Sequence, residues 1–356
     1  MKVLIIKTSS LGDIIHALAV IDYLHQVSPG IEIDWVAEEQ FLPVLEHNPG
    51  LRRIFPVRTK KWRKAPFSAE TRRDLMALRK GLRERPYDLV FDIQGNLKSG
   101  LIAWLSGSHE RIGFTRQVLQ EKANALFTTR RIPFRDSDRN VTDRYLRVVS
   151  VPFNRDYQGM ELAGAVYSAP EDEEAAERFR AELPEGLVIL FQVGTTWSTK
   201  LWHPEGWSEL ARRITALYPG ATILINWGSP DEKALGERIA RDAGAAVRLL
   251  PWMRIRELIP VLRRVDLVIG GDTGPLYLAA AVGTPTVSFY RATSAATYAP
   301  QGRRHRAVQA AMECAGCYLT SCDRDGECRR SISVDALFAA VTDLIRHHPN
   351  GKDAPC

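Results

Sequence analysis

Short apolar runs that end in a small-residue turn and lead into an apolar helix recur through this chain of 356 residues, and they restrict it to few folds. The first spans Lys2 to Val20, KVLIIKTSSLGDIIHALAV. Val3, Leu4, Ile5 and Ile6 are continuous apolar residues, the pattern of a parallel strand covered on both faces. Lys7, Thr8, Ser9, Ser10 and Gly12 make a polar turn, and Ile14 to Val20 reads as a helix. The same reading predicts strands at Ile31 to Val36, Leu89 to Ile93 and Glu110 to Gly113, with helical spacing over Ala69 to Arg83. The second half repeats the rhythm, with strands at Leu187 to Val193, Ala221 to Asn226, Asp266 to Ile269 and Thr286 to Tyr290. Helices are predicted there over 207–217, 232–243 and 258–264. Alternating strands and helices argue for open parallel sheets and the α/β class.

A chain of this length exceeds what one hydrophobic core usually serves, so two domains are expected. Composition changes around Val166 to Glu174, where Pro170 precedes an acidic run. A linker there gives domains 1–168 and 169–333, followed by a terminal segment 334–356 whose helix covers Val334 to His347. No run of about 18 apolar residues occurs, so no bilayer span is expected. Met1 leads into a strand without the features of a signal peptide, which predicts a cytoplasmic protein. The formal charge is +6, with basic clusters at Arg58 to Lys64 and Arg130 to Arg147. Such clusters are usually solvated faces; an anionic substrate or an acidic membrane surface is the alternative. No nucleic-acid reader module appears, so nucleic acid is not an expected partner.

The chemistry-bearing residues gather at strand ends. Asp13 lies in the first turn, as a helix cap in competition with Ser10 or as a carboxylate base for a hydroxyl nucleophile. Lys7, Ser10 and Gly12 share that turn, of the kind whose helix N-terminus holds anions or substrate groups. Gln94 to Ser99, with Lys98, follows the Leu89 strand as a second small-residue turn. Gly270 to Tyr277 is the sharpest local pattern. Gly270 and Gly271 allow close backbone approach to a ligand, Asp272 and Thr273 can cap the helix, and Pro275 suits its first turn. Free N–H groups at such a helix start, Gly274 included, favour phosphate. Thr195, Thr196 and Lys200 end another strand with hydroxyls and a cation suited to a diphosphate. Trp227, Gly228 and Glu232 end a third, where a carboxylate could accept from sugar hydroxyls. Each has an ordinary capping or core explanation; their joint placement is what suggests one ligand. Asp136-Ser137-Asp138 and Asp323-Arg324-Asp325 lie in Arg-rich loops away from these strand ends and are read as chance, so a metal-dependent donor site is not expected.

These segments carry a family resemblance. KTSSLGD, TT with Lys200, WGSPDE and GGDTGPLYLAAAVGTPTV occur in the order seen in the bacterial ADP-heptose glycosyltransferases, glycosyltransferase family 9. KKWRK at Lys60 to Lys64 and QGNLKSG at Gln94 to Gly100 are similar to acceptor-side segments of its heptosyltransferase I branch. The resemblance implies a GT-B fold, two Rossmann-like domains whose parallel sheets face an inter-domain cleft, with the terminal helix packing back on the N-terminal domain. It implies inverting transfer of heptose from ADP-heptose, held by the C-terminal domain, to Kdo-lipid A, held by the N-terminal one. Asp13 would be the base. Thr195, Thr196, Lys200, Glu232, Asp272, Thr273 and Gly274 would contact the nucleotide sugar, with Lys200 also serving the leaving group. Arg58, Lys60, Lys61, Arg63, Lys64, Gln94 and Lys98 would meet the acidic acceptor, and peripheral contact with the anionic inner membrane would follow. No cofactor would be required for catalysis. One position departs from the family: Tyr277 stands where histidine is usual, and a phenol offers no imidazolium charge. Transfer to an existing heptose or to protein hydroxyls is the alternative within the family; an epimerase or a nucleotide-binding scaffold is the alternative outside it.

Cys314, Cys317, Cys322 and Cys328 crowd one stretch, with Cys356 alone at the tail. In a reducing compartment such a cluster suggests a structural zinc or iron site, with free thiols as the alternative. Similar cysteine-bearing segments occur in heptosyltransferase II-like members of the family.

Overall fold

The computed structural model describes residues 1–347; the end of the predicted terminal segment, 348–356 with Cys356, lies outside them. The chain divides into two compact units, Met1–Tyr167 and one beginning at Ser168.

The first unit is a six-stranded parallel sheet of β1 (Lys2–Ile6), β2 (Glu32–Glu38), β3 (Arg53–Val57), β4 (Leu89–Asp92), β5 (Arg111–Phe114) and β6 (Arg130–Ile132). Its order is β3-β2-β1-β4-β5-β6, so the winding direction reverses between β1 and β4. Val3 to Ile6 are fully buried, as a central strand with helices on both faces requires. The second unit repeats the plan with β7 (Val188–Gln192), β8 (Thr222–Asn226), β9 (Val247–Leu249), β10 (Leu267–Gly271), β11 (Thr286–Tyr290) and β12 (His305–Gln309). Their order, β12-β11-β10-β7-β8-β9, reverses between β10 and β7. Ligands in such sheets bind beyond the carboxyl ends of the strands at the reversal.

Aromatic packing organises the second core. Phe191 and Trp207 have ring centroids 4.9 Å apart, Trp202 and Trp207 5.2 Å, and the Trp202 indole donates to the Ile332 carbonyl at 2.9 Å.

The acidic run after Pro170, just past the division between Tyr167 and Ser168, forms the first turns of the helix Pro170–Ala181, with proline and acidic side chains at its positive end. It is clasped by the helix Ile255–Arg263 and the residue after it: Arg256 reaches Asp172 at 2.5 Å and Glu171 at 2.6 Å, and Arg264 reaches Glu177 at 2.9 Å. The terminal helix Val334–His347 was expected on the first domain. Its buried stripe of Leu337, Val341 and Leu344 instead completes the second unit's core alongside Trp202 and Trp207. No helix among the described residues is long and apolar enough to cross a membrane.

Candidate active site

In the first unit the chain leaves β1 at the reversal point. Lys7, the first residue past the strand, is 3% exposed. Its ammonium stands 4.0 Å from Asp13 Oδ1 and 4.8 Å from the Tyr145 ring centroid. Ser10 is the cap of the helix Leu11–Ala17, which settles its competition with Asp13. Asp13 sits in the first turn, where Oδ2 accepts from the Ser10 N–H at 3.1 Å and from Ser10 Oγ at 2.7 Å. Oδ1 accepts from Tyr145 Oη at 3.1 Å. About a third of the Asp13 side chain, 32%, remains exposed. Burial opposes its ionisation, but Lys7, the Ser10 donors and His16 outweigh that and hold the carboxyl below the usual range. Burial dominates for Lys7 itself, whose ammonium is pushed down despite the carboxylates of Asp13 and Asp92.

Gln94 and Lys98 act close by as braces. Gln94 Oε1 accepts from the Thr8 and Ser9 N–H groups at 3.0 and 2.9 Å, tying the turn after β1 to the turn after β4. Lys98 Nζ donates to Thr59 Oγ1 at 3.2 Å. Of the basic residues in Arg58 to Lys64, Arg58 is engaged by carboxylates: it forks onto Glu39 at 3.0–3.2 Å and lies 3.7 and 3.8 Å from Glu70 and Asp74. Lys61 pairs with Glu70. Lys60, Arg63 and Lys64 are exposed.

In the second unit the corresponding reversal holds a buried polar chain. Lys200 Nζ lies 2.8 Å from Asp272 Oδ2 and 4.3 Å from the Trp197 ring centroid. Tyr277 Oη donates to Asp272 Oδ1 at 2.6 Å. Burial first, then the neighbouring Tyr290 and Asp272, push the Tyr277 phenol well above its usual range, so it stays a proton donor. The Tyr277 phenol is therefore turned onto the aspartate.

Gly270 and Gly271 were expected to admit a ligand, but each admits protein. A Cβ on Gly271 would stand 3.1 Å from the Lys200 carbonyl and 3.0 Å from the Phe289 ring, and one on Gly270 would meet Gln192 at 3.0 Å. Gly271 thus lets the Lys200 loop close onto β10, and Gly270 lets Gln192 of β7 pack beside it. Thr273 occupies the N-cap position of the helix Gly274–Ala281 without a capping bond from its side chain, and the first N–H groups of that helix lie at the same strand ends. Thr195 Oγ1 donates to the Trp197 carbonyl at 2.7 Å, and Thr196 is exposed. At the end of β8, Glu232 Oε2 accepts from the Gly228 N–H at 2.6 Å. Its carboxyl group fills the place a side chain on Gly194 would need, 2.0 Å from that Cβ. The Trp227 indole is committed to the Leu250 carbonyl at 2.8 Å.

The expected zinc or iron site does not form. Cys314, Cys317, Cys322 and Cys328 are free thiols, the first two exposed, and among the described residues no three His, Cys, Asp or Glu side chains converge to hold a metal. Protein contacts hold this stretch instead. Arg291, 1% exposed, donates to the Asp325 carbonyl at 2.8 Å and its carboxylate at 2.7 Å, and Thr199 Oγ1 donates to the Leu319 carbonyl at 2.7 Å. Asp325 thus has a structural role, as has Asp138, which accepts from Tyr157 Oη and the Arg135 N–H, both at 2.7 Å.

Two site residues escape sequence reading. Tyr145, on the helix Val141–Ser150, reaches Asp13 across 132 positions and leaves no local signal. Asp92 ends the apolar strand β4, where a carboxylate is itself a signal. Burial raises its carboxyl even though Gly95, Asn124, Ser99 and Gln94 donate to it.

Residues 75–326 match the family model of glycosyltransferase family 9 (heptosyltransferase). Lipopolysaccharide heptosyltransferase 1 of Escherichia coli strain K12 is 31% identical over 318 residues, which cover 88% of this chain and 95% of that one. The solved E. coli heptosyltransferase WaaC with ADP superposes with a TM-score of 0.79 at 27% identity, covering 97% of this chain and 100% of that one. Its complex with ADP-2-deoxy-2-fluoro heptose gives 0.76 at 28% identity, covering 96% and 99%. The chain therefore belongs to glycosyltransferase family 9 and is a glycosyltransferase of GT-B fold.

Proposed function

We propose that this enzyme transfers heptose from ADP-heptose to a Kdo residue of the lipopolysaccharide inner core, with inversion, and that Asp13 is the general base. The observation that carries the reading is the Asp13 carboxylate, kept ionised by buried Lys7, braced on both oxygens and still 32% exposed. The names of the relatives, lipopolysaccharide heptosyltransferase 1 and a WaaC complex with an ADP-heptose analogue, support the donor and the product class.

In this scheme an acceptor hydroxyl oxygen attacks the anomeric carbon as the bond to the ADP oxygen breaks, and its proton passes to Asp13. A single displacement from the opposite side inverts the anomeric centre. Asp272 takes one donor of Lys200 and leaves two for the pyrophosphate. Lys200 and the N–H groups opening the helix Gly274–Ala281 then meet the charge that develops on departing ADP. That charge supply requires no metal or other cofactor. Glu232, beside Gly228, Thr195 and Thr196 would bind donor hydroxyls and phosphate, with Trp227 offering a ring face. Lys60, Arg63 and Lys64 would meet the acidic groups of the acceptor, arginine as the planar partner. The enzyme would work in the cytoplasm, at the inner-membrane surface.

Purified protein offered ADP-heptose with Kdo-lipid A, heptosylated core or a serine-rich peptide should release ADP only with the first. Transfer to heptosylated core or peptide instead would overturn the acceptor assignment, and no transfer from ADP-heptose at all would overturn the donor.

A further inference from the structure

In the first unit the helices Ala69–Arg83 and Leu97–Leu105 are neighbours. The Arg83 guanidinium donates to the Leu105 carbonyl at 3.0 Å, and Lys98 ties the other end of the second helix to Thr59, in the short helix Thr59–Lys64. Leu78 and Leu82 share one core with Ile102 and Ala103. The outward faces of this pair contrast with each other. On Ala69–Arg83, Arg72, Arg73, Met76 and Lys80 fall on one side at helical spacing and are exposed, opposite buried Thr71, Leu78 and Leu82. On Leu97–Leu105 the outward stripe is Leu97, Leu101 and Trp104, exposed by 40, 41 and 55%. Phe67, in the turn before Ala69, is 88% exposed and Met76 63%.

The charges on these helices do not cancel. Glu70 and Asp74 are already taken by Arg58, Lys61 and the Trp62 indole. Among the described residues, Lys60, Arg63, Lys64, Arg72, Arg73, Arg79 and Lys80 have no carboxylate partner in any ion pair. A solvated helix surface usually interleaves the two signs and shows large apolar groups singly. Here a cationic ridge runs beside an apolar one that includes a tryptophan. Phosphate headgroups would meet the cations, while Phe67, Leu101 and Trp104 would reach the acyl boundary, where Trp is favoured.

We propose that this face, built from Phe67, the outer side of Ala69–Arg83 and the outer side of Leu97–Leu105, docks the enzyme on an anionic phospholipid bilayer. The assignment deepens the proposed function, whose acceptor is a membrane lipid, but the docking residues named for testing lie outside the donor and acceptor sets.

The full-length protein would be sedimented with vesicles of phosphatidylethanolamine and phosphatidylglycerol, and with pure phosphatidylcholine, all lacking lipid A. Binding should appear only on the anionic vesicles. Replacing Arg72→Ser, Arg73→Ser and Lys80→Ser together should weaken it on the order of a hundredfold. The pair Leu101→Ser and Trp104→Ser should weaken it by at least about tenfold. Both variants should lose transfer to an acceptor embedded in vesicles yet keep wild-type transfer to a soluble, deacylated one, which also shows that they fold. Failure of the wild type to bind anionic vesicles would overturn the proposal, as would variants that bind like wild type. So would an apolar variant with unchanged binding joined to equal affinity for a DNA duplex, which would mark a general polyanion surface. Vesicle binding in the expected pattern without any heptose transfer would instead overturn the acceptor reading and leave this surface standing.

Discussion

Lys7→Met tests how the base is kept ready. Lys7 Nζ lies 4.0 Å from Asp13 Oδ1, with 4% of the lysine and 32% of the aspartate side chain exposed. Unit charges at that distance, at an effective dielectric constant of about 20, interact by about 4 kcal/mol. Solvent at the open side of Asp13 screens part of this, and removing the ammonium should raise the Asp13 pKa. The sign is fixed by which form the cation favours: it favours the carboxylate, so its loss brings protonation in at higher pH. Methionine keeps most of the buried stem, so packing is largely preserved. The assay is ADP release under kcat/KM conditions between about pH 4 and 8, with a thermal melt in each buffer to establish folding. The wild-type acid limb should fall below the ordinary carboxylate value of 3.8, whereas the variant's should be displaced to higher pH. Identical acid limbs in the two proteins would refute the assignment of Lys7 as the group that keeps Asp13 ionised.

Other consequences follow from the same geometry. Tyr145→Phe removes a donor to Asp13 Oδ1 at an open site where water can substitute, so kcat/KM should fall by roughly 3- to 10-fold while ADP affinity, read by calorimetry, stays unchanged. Gly194→Ala puts a Cβ 2.0 Å from the Glu232 carboxyl carbon, so Glu232 must leave the Gly228 N–H; ADP-sugar affinity should drop by about tenfold with the fold intact by circular dichroism. His305 is depressed from 6.5 to about 4, by burial and then by Arg304 and Arg306. Because the unfolded chain takes that proton first, stability should fall as pH drops from 6.5 toward 4, by at most about 3 kcal/mol in urea titrations. His305→Gln should flatten that slope.

How much of this was readable from the chain depended on where each residue's partners lie. β1 and its turn were legible because a four-residue apolar run, a polar turn and an apolar helix are local features. The strands that went unread, β3, β6, β9 and β12, are the sheet edges. An edge strand is paired on one side only and tolerates Pro56 in RIFPV, the arginines of RRI and the mixed HRAVQ, so its apolar pattern fades. Arg58 looked free for an anionic acceptor because Glu39, Glu70 and Asp74 approach it only in the folded chain. The spacing of Cys314 to Cys328 suggested a metal, yet Arg291 and Asp325, far apart in spacing logic, decide how that stretch lies. Gly271 signalled a close approach correctly and its partner wrongly: the backbone that comes near is the carbonyl of Lys200.

The most direct measurement compares Asp13→Asn with wild type in two readouts, heptose transfer from ADP-heptose to Kdo-lipid A and affinity for ADP. Loss of a positioned base should slow transfer by about 10²- to 10⁴-fold. ADP affinity should stay within about twofold, since the proposed nucleotide contacts all belong to other residues. Transfer at the wild-type rate in the Asn variant, or loss of ADP binding in step with activity, would contradict the role given to Asp13.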